Sequence, residues 1–361
     1  MLQSCKFWRL PLLLLFATTF GYAQQIPVQF FAIPVRAPTS TPRTVFYVTD
    51  RRPSKDPKSY SSDRSENGTL SYGKCVVTIP RAHILGSLEI PPLPFLEDGA
   101  KHVILADLES QTDKTFYRLV SETVSNSDRR DAFIFIHGYN TTFQDAARRT
   151  AQIAYDLKFE GAAIFYTWPS QGKLLDYLVD KNNAEWTVPH LVAFLKEFHG
   201  KAGARKVSII AHSMGARILT SALKEISSDR STSVRFSQII LAAPDIDRDI
   251  FLQLAGAINH TADRITLYAS SKDEALKISG FVQGYPRAGG SGEGLTLTSG
   301  VDTVDATAVR TDLFTLSHSY FSGRTVLADI FSLIKYDSPP GARFGLVPNV
   351  RNFVIYWEFH P

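Results

Sequence analysis

The chain has 361 residues, of which 44% are hydrophobic and 20% charged, an ordinary globular balance that can bury the core of one large or two medium domains. Its formal net charge is only +4. That surplus is too small for nucleic acid or an anionic membrane to be the expected main partner.

The first residues read as an export signal. Lys6 and Arg9 form a short basic region, an apolar run follows from Leu10 to Phe16, and Gly21-Tyr22-Ala23 offers small residues around a cleavage point after Ala23. The run is short for a bilayer span and no stop-transfer pattern follows it, so a secreted or periplasmic protein without an integral membrane span is expected. Cleavage would remove Lys6 and Arg9 and lower the charge from +4 to +2. It would also remove Cys5, leaving Cys75 alone, so stability must come from packing rather than disulfides. Glycosylation sequons begin at Asn67, Asn140 and Asn259 and matter only in a eukaryotic secretory route.

Residues 24–57 are rich in Pro, Ser, Thr and Arg around one strand candidate at 44–49, and 54–68 is polar and loop-like. Further strands are expected at 75–79 and 102–108. The rhythm then changes to apolar strands alternating with longer helical segments. Strands are expected at 132–136, 162–167, 206–211, 238–242, 264–269 and 301–305. Helices are expected at 141–157 (with Thr141 or Thr142 as cap), 174–198, 214–226, 248–257, 274–279 and 321–334. Such alternation over some 200 residues implies an α/β fold, a mostly parallel central sheet with helices on both faces. The chain divides into a signal peptide at 1–23, an extended and loop segment at 24–70, an α/β domain at 71–335 and a C-terminal tail at 336–361. The glycine cluster at 280–294 neither follows a strand nor opens a helix. It reads as a mobile loop, not a phosphate cradle.

The most informative stretch is Lys206-Val-Ser-Ile-Ile-Ala-His-Ser-Met-Gly215. A strand runs straight into Ala211-His212-Ser213-Met214-Gly215 and a helix begins at once. This is the pattern of a nucleophile elbow, with Ala211 where G-x-S-x-G has its first glycine. The turn is tight enough to strain the serine, and the residues two before and two after it must be small. Ser213 is therefore the candidate nucleophile, with the helix N-terminus behind it to stabilise negative charge.

A tetrahedral intermediate needs two preorganised donors at its oxyanion. The sequence offers the backbone amides of Met214 and of Tyr139, in His137-Gly138-Tyr139-Asn140 after an earlier strand. The His137 imidazole is read as structural. In this arrangement the chain order is nucleophile, acid, histidine, and only His260, His318 and His360 follow Ser213. His260 precedes a strand and falls at the wrong sheet edge, and His360 is in the terminal dipeptide. His318 follows the last strand of the series and is the candidate base. Two carboxylates follow strands at the correct edge, Asp273 and Asp245, and strand order favours Asp273 with Asp245 as the alternative. Asp245, Asp247 and Asp249 mimic a calcium loop but lack its glycine and distal glutamate. No metal or cofactor is expected.

Phe135-Ile-His-Gly-Tyr-Asn140, Tyr166-Thr-Trp-Pro-Ser170, Ala211-His-Ser-Met-Gly215, Ala243-Pro-Asp245, Ser270–Leu276 and Ser317-His-Ser-Tyr-Phe321 together resemble an α/β-hydrolase family of bacterial esterase/lipase-like proteins, largely uncharacterised. The likeness runs from Thr44 to Ile334 and includes Val45-Phe-Tyr-Val-Thr-Asp-Arg51 and Tyr72-Gly-Lys-Cys-Val-Val-Thr-Ile-Pro80. It implies Ser213, Asp273 and His318 as a triad and hydrolysis of esters, small or lipid-like, without defining a natural substrate. Two other readings share these residues: an amidase or peptidase with the same triad, and a non-catalytic binding protein on a hydrolase scaffold.

Overall fold

The computed structural model describes residues 39–360 apart from 58, 173–175, 232 and 310–322. The expected export signal and His318 lie outside the described residues. The described chain runs β1 (Ser40–Thr49), β2 (Arg51–Pro53), β3 (Tyr60–Arg64), β4 (Ser71–Pro80), β5 (Ile104–Gln111), α1 (Asp113–Ser125), β6 (Asp131–Ile136), α2 (Phe143–Asp156), β7 (Ala162–Thr167) and α3 (Tyr177–Lys201). It continues with β8 (Lys206–His212), α4 (Met214–Ser228), β9 (Phe236–Ala242), α5 (Arg248–Ile258), β10 (Ala262–Ala269), α6 (Glu274–Gln283), β11 (Asp302–Asp305), α7 (Arg324–Tyr336), β12 (Leu346–Arg351) and β13 (Val354–Phe359). Eleven strands form one sheet in the order β12-β13-β11-β10-β9-β8-β6-β7-β1-β4-β5. From β13 to β1 every neighbouring pair is parallel, and the antiparallel pairings occur only at the two margins.

The central strands are apolar throughout because both of their faces are covered. In β6, Ala132, Ile134 and Ile136 pack on one face with residues of α1, α3, α4 and α5, among them Phe116, Leu191, Ile218 and Phe251. Phe133 and Phe135 pack on the other face with residues of α2 and α7, among them Phe143, Ala147, Val326 and Leu333. The period-2 alternation of a strand thus fills two cores at once. Helix starts are set by side chains: Thr142 caps α2 and Asp145 returns its bond to the Thr142 backbone, a complete capping box.

The sheet extends beyond the 71–335 span at both ends. Strand β1 lies inside the sheet between β7 and β4. The tail forms the hairpin β12–β13, with β13 parallel to β11. Its turn sits at Asn352 and Phe353, both with positive φ. A buried ion pair ties this tail to the core: Arg343 donates to Asp329 at 3.1 Å, and Tyr268 donates to the same carboxylate at 2.6 Å. Part of the expected loop at 54–68 pairs with Arg51–Pro53 as a two-stranded ribbon. Helix α1 was not anticipated. Phe116, Tyr117, Val120 and Val124 are its buried face, at helical spacing but separated by polar residues.

The glycine-rich stretch departs from its reading as a mobile loop. Gly289 donates to Pro244 O and accepts from Ser270 N at 2.9 Å each, and Ala288 donates to Ile246 O at 2.8 Å. A Cβ on Gly289 would stand 2.7 Å from Ala243 C and from Leu276 Cδ1. Its glycines permit close backbone approach at this point.

Candidate active site

Strand β8 delivers Ser213 into a backbone of φ 53° and ψ −121°, and α4 begins at the next residue. A non-glycine residue held there stores about 1–3 kcal/mol, which its surroundings must supply. The Ser213 amide donates to Ala242 O at 2.9 Å, the Ser213 carbonyl accepts from Asp245 N at 3.1 Å, and the side chain is 1% exposed. The requirement for small neighbours is visible in atoms. A Cβ on Gly215 would meet His137 O at 2.4 Å, so the helix can follow the serine only because that residue is glycine. Ala211 is fully buried at the first small position.

Strands β6 and β8 are neighbours, while the chain between them leaves to form β7 on the far side of β6. This is the topological switch point of the sheet, where a crevice opens at the strands' C-terminal ends. Ser213 and the His137–Tyr139 turn stand on its two sides. A Cβ on Gly138 would lie 2.8 Å from the Ser213 Cβ, so that glycine sets how closely the turn approaches the serine. The Met214 amide belongs to the first residue of α4 and has no partner within the helix. The Tyr139 amide is not used by a backbone carbonyl among the described residues. Non-glycine residues with positive φ follow three adjacent strands here: Asn140, Ser213 and Ala243.

His137 holds this turn rather than moving protons. Its Nδ1 meets Gly138 O at 2.7 Å, while Nε2 faces Thr167 Oγ1 at 2.9 Å and accepts from Trp168 N at 3.2 Å. An acceptor at Nε2 fixes the Nδ1–H tautomer. The ring stacks on Trp168, whose indole N–H donates to His137 O at 2.9 Å. Burial, and then the nearby Arg51 charge, keep this imidazole well below its ordinary value and therefore neutral.

Arg51 is the residue that motif reasoning passed over, although it closes the quoted stretch that begins at Val45. Its side chain is 1% exposed. It donates to Thr167 Oγ1 at 2.9 Å, to Ser170 O at 3.0 Å and to Thr141 O at 2.8 Å, joining the turns after β6 and β7. Burial pulls its pKa down to about 10, so it stays charged at neutral pH. Asp180 completes the network. It accepts from Ser170 Oγ at 2.6 Å, Gln171 N at 2.7 Å and Asn140 N at 3.2 Å. No periodicity marks these residues, since their partners are mostly backbone atoms of distant turns.

Both candidate acids are buried at strand ends, in different company. Asp273 caps α6, accepting Leu276 N at 3.0 Å through Oδ1. It also lines a cavity of 580 Å³ at this end of the sheet. Asp245 is surrounded: Arg287 Nε and Ser279 Oγ donate to Oδ1 at 2.7 and 2.6 Å, and Tyr177 donates to Oδ2 at 2.7 Å. Asp247, two residues on, caps α5, accepting Asp249 N and Ile250 N. The three alternating aspartates therefore diverge. Among the described residues no group of three or more His, Cys, Asp or Glu is placed to hold a metal ion. His260 precedes β10, at the opposite sheet edge from Ser213. His360 follows β13, four strands from β8, roughly 19 Å away at ~4.8 Å per strand.

A mostly parallel sheet covered on both faces, with a serine on a strained strand-to-helix elbow at its switch point, defines an α/β hydrolase. The chain belongs to the family described as "Alpha/beta hydrolase of unknown function (DUF900)", whose model matches residues 112–335, more than half its length. It is also similar to the "Uncharacterized protein alr1448" of Nostoc sp. (strain PCC 7120 / SAG 25.82 / UTEX 2576), 32% identical over 65 residues. That match covers 18% of this chain and only 17% of the relative's length. Among solved structures, a "predicted CIB-like hydrolase from Thermoplasma acidophilum" is similar over 55% of this chain and 79% of its own, at 14% identity and a TM-score of 0.26.

Proposed function

We propose that this protein is an exported serine hydrolase that cleaves carboxylic esters through Ser213, His318 and Asp273. Ser213 Oγ attacks the acyl carbon as His318 takes the hydroxyl proton, and the amides of Tyr139 and Met214 receive the developing oxyanion. Collapse of the tetrahedral intermediate breaks the ester bond. His318 gives its proton to the leaving alkoxide, and the acyl group stays on Ser213. Water, deprotonated by the same imidazole, then releases the acid. Asp273 accepts the His318 Nδ1–H and fixes its tautomer.

The observation that carries the reading is the positive φ of Ser213 beside Gly138. A serine that merely capped α4 would have extended backbone and a side-chain bond to the helix, and Ser213 has neither. A binding protein on this scaffold would have no use for that strain. The test is labelling by a fluorophosphonate probe together with a screen of p-nitrophenyl esters of graded chain length. Wild type should label and hydrolyse, and Ser213→Ala should do neither. Equal labelling of both proteins would show that another residue is the nucleophile. Export is tested separately by sequencing the N-terminus of protein from the producing cell's envelope or medium, with Gln24 as the expected first residue.

A further inference from the structure

A ring of contacts closes around the crevice, and Tyr177, the first residue of α3, is the member that spans it. On the nucleophile's side, the Ser213 carbonyl accepts from Asp245 N at 3.1 Å. Asp245 Oδ2 accepts from Tyr177 Oη at 2.7 Å. The Tyr177 ring then packs edge-on against Tyr139, with centroids 5.5 Å apart and planes at 74°. The ring of contacts returns to Ser213 through Gly138, whose backbone stands so near that a Cβ there would lie 2.8 Å from the Ser213 Cβ.

Tyr177 is half-buried, and its hydroxyl is held from more than one direction. It donates to Asp245, accepts from Gln283 Nε2 and lies 3.1 Å from Ser279 Oγ, the last two on α6. Burial, and then the Asp245 charge, hold this phenol above its ordinary range, so it stays a donor at neutral pH. One turn further along the same face of α3, Asp180 accepts the Asn140 amide at 3.2 Å. The first turn of α3 therefore grips the turn after β6 at the Tyr139 ring and at the Asn140 N–H. Gly138 is limited on its other side by Ser213. The Tyr139 amide lies between these restraints, and its direction follows from the backbone angles that they limit.

Resting on the reading of the Tyr139 amide as an oxyanion donor in ester cleavage, we infer that Tyr177 is a positioning residue for that reaction. It braces Tyr139 against the turn after β9 and so fixes the direction from which the Tyr139 amide meets an oxyanion formed at Ser213. Such donors lower the barrier only when they already stand where the charge develops. Without the brace the peptide can swing, while the ground-state ester, which carries no oxyanion, binds as before. The cost falls on the transition state. Gln283 still holds the phenol in Asp245→Asn, so that substitution spares the brace.

The test compares wild type with Tyr177→Leu, which loses both ring and hydroxyl, and with Tyr177→Phe, which keeps the ring but not its anchor. Turnover is followed on p-nitrophenyl butyrate, and inhibition with 1,1,1-trifluoropentan-2-one. Ser213 Oγ adds to the carbonyl carbon of that ketone, the hydroxyl proton passes to His318, and the carbonyl oxygen becomes an oxyanion placed as in ester cleavage. Tyr177→Leu should lower kcat about 30-fold and weaken Ki by the same factor, with KM within about twofold, inside the ~10²-fold cost of groups misplaced away from the chemistry. Tyr177→Phe should fall between that variant and wild type. A fall in Tm with kcat and Ki unchanged makes Tyr177 a packing residue and overturns the inference. So does a change in KM alone, which places the ring against substrate, or a fall in kcat that Ki does not follow. A wild type that neither cleaves the ester nor binds the ketone sinks the esterase reading, and the inference with it. If wild type does both and Tyr177→Leu matches it, the inference alone falls.

Discussion

The turns after β9 and β10 offer a direct comparison. Each places an aspartate at the C-terminal end of a parallel strand beside the site, and each carboxylate is almost wholly buried, Asp245 at 3% exposure and Asp273 at 1%. Depth and position therefore do not separate them. Partners do. Asp245 faces the cationic Arg287, itself 4% exposed, with Ser279 and Tyr177 closing the remaining directions. Asp273 gives one oxygen to a helix amide and borders a cavity. A carboxylate neutralised by a buried guanidinium serves the structure, because its withdrawal would strand a charge. One that caps a helix sets its charge against the helix start instead. Two buried aspartates in equivalent turns thus keep different neighbours.

The sharpest way to break that comparison begins with Ser213, whose carbonyl accepts from Asp245 N. Ser213→Ala should lower ester turnover by about 10⁵–10⁶-fold, with its melting curve unchanged or slightly improved by release of backbone strain. Asp273→Asn comes next. It should cost about 10⁴-fold in kcat through the wrong imidazole tautomer, with little loss of Tm because asparagine caps a helix as well as aspartate does. Asp245→Asn should show the reverse. Turnover per folded molecule should stay within a few fold. Leaving Arg287 buried without its counter-charge should cost about 3–5 kcal/mol, a fall of roughly 5–10 °C in Tm. If Asp245→Asn is the inactive protein and Asp273→Asn is near normal, the two roles are exchanged.

Two smaller effects test other parts of the framework. Arg51→Lys keeps the charge but loses the fork that joins the turns after β6 and β7, so the Tyr139 amide is less well placed. A loss of about tenfold in kcat with KM nearly unchanged is expected, since misplaced groups away from the chemistry cost up to ~10²-fold. A change in KM alone would place Arg51 in substrate binding instead. The smallest effect concerns His83, whose ring nitrogens each lie 2.8 Å from a carboxylate, Glu89 and Asp156. Burial pulls its pKa down, yet the bonds to Asp156 and Glu89 outweigh burial and the net shift is upward. A folded value above the unfolded one means the charged imidazole stabilises fully below pH ~6.5, and that the stabilisation is lost as pH rises through the folded value. His83→Gln should therefore lower Tm by about 2 °C at pH 5.5, from ~1 kcal/mol, and by progressively less toward pH 9.

The elbow and its strand were legible because sterics write them locally. Ala211 and Gly215 must be small wherever a serine sits on such a turn, and the apolar run before it marks a strand buried on both faces. The capping box at Thr142 was half legible, as a choice between two threonines that the Asp145 bond decides. The hairpin β12–β13 was not, because it is a margin with exposed side chains such as Val350 and Ile355 and lacks a clean alternation.

By itself, the sequence determined the parallel sheet, the strand-to-helix elbow at Ser213, the glycine turn at 137–140 and the pair of candidate acids, all of which depend on residue size and spacing over a few positions. Only the tertiary structure decided which residues the buried charges face. It paired Asp245 with Arg287 across 42 residues, ran Arg51 to the Thr141 carbonyl across 90, and tied the glycine-rich stretch to the turns after β9 and β10. The reason is that a buried polar group must find a partner wherever the fold supplies one. Most of these partners are backbone atoms or side chains from distant turns, and no local pattern encodes them.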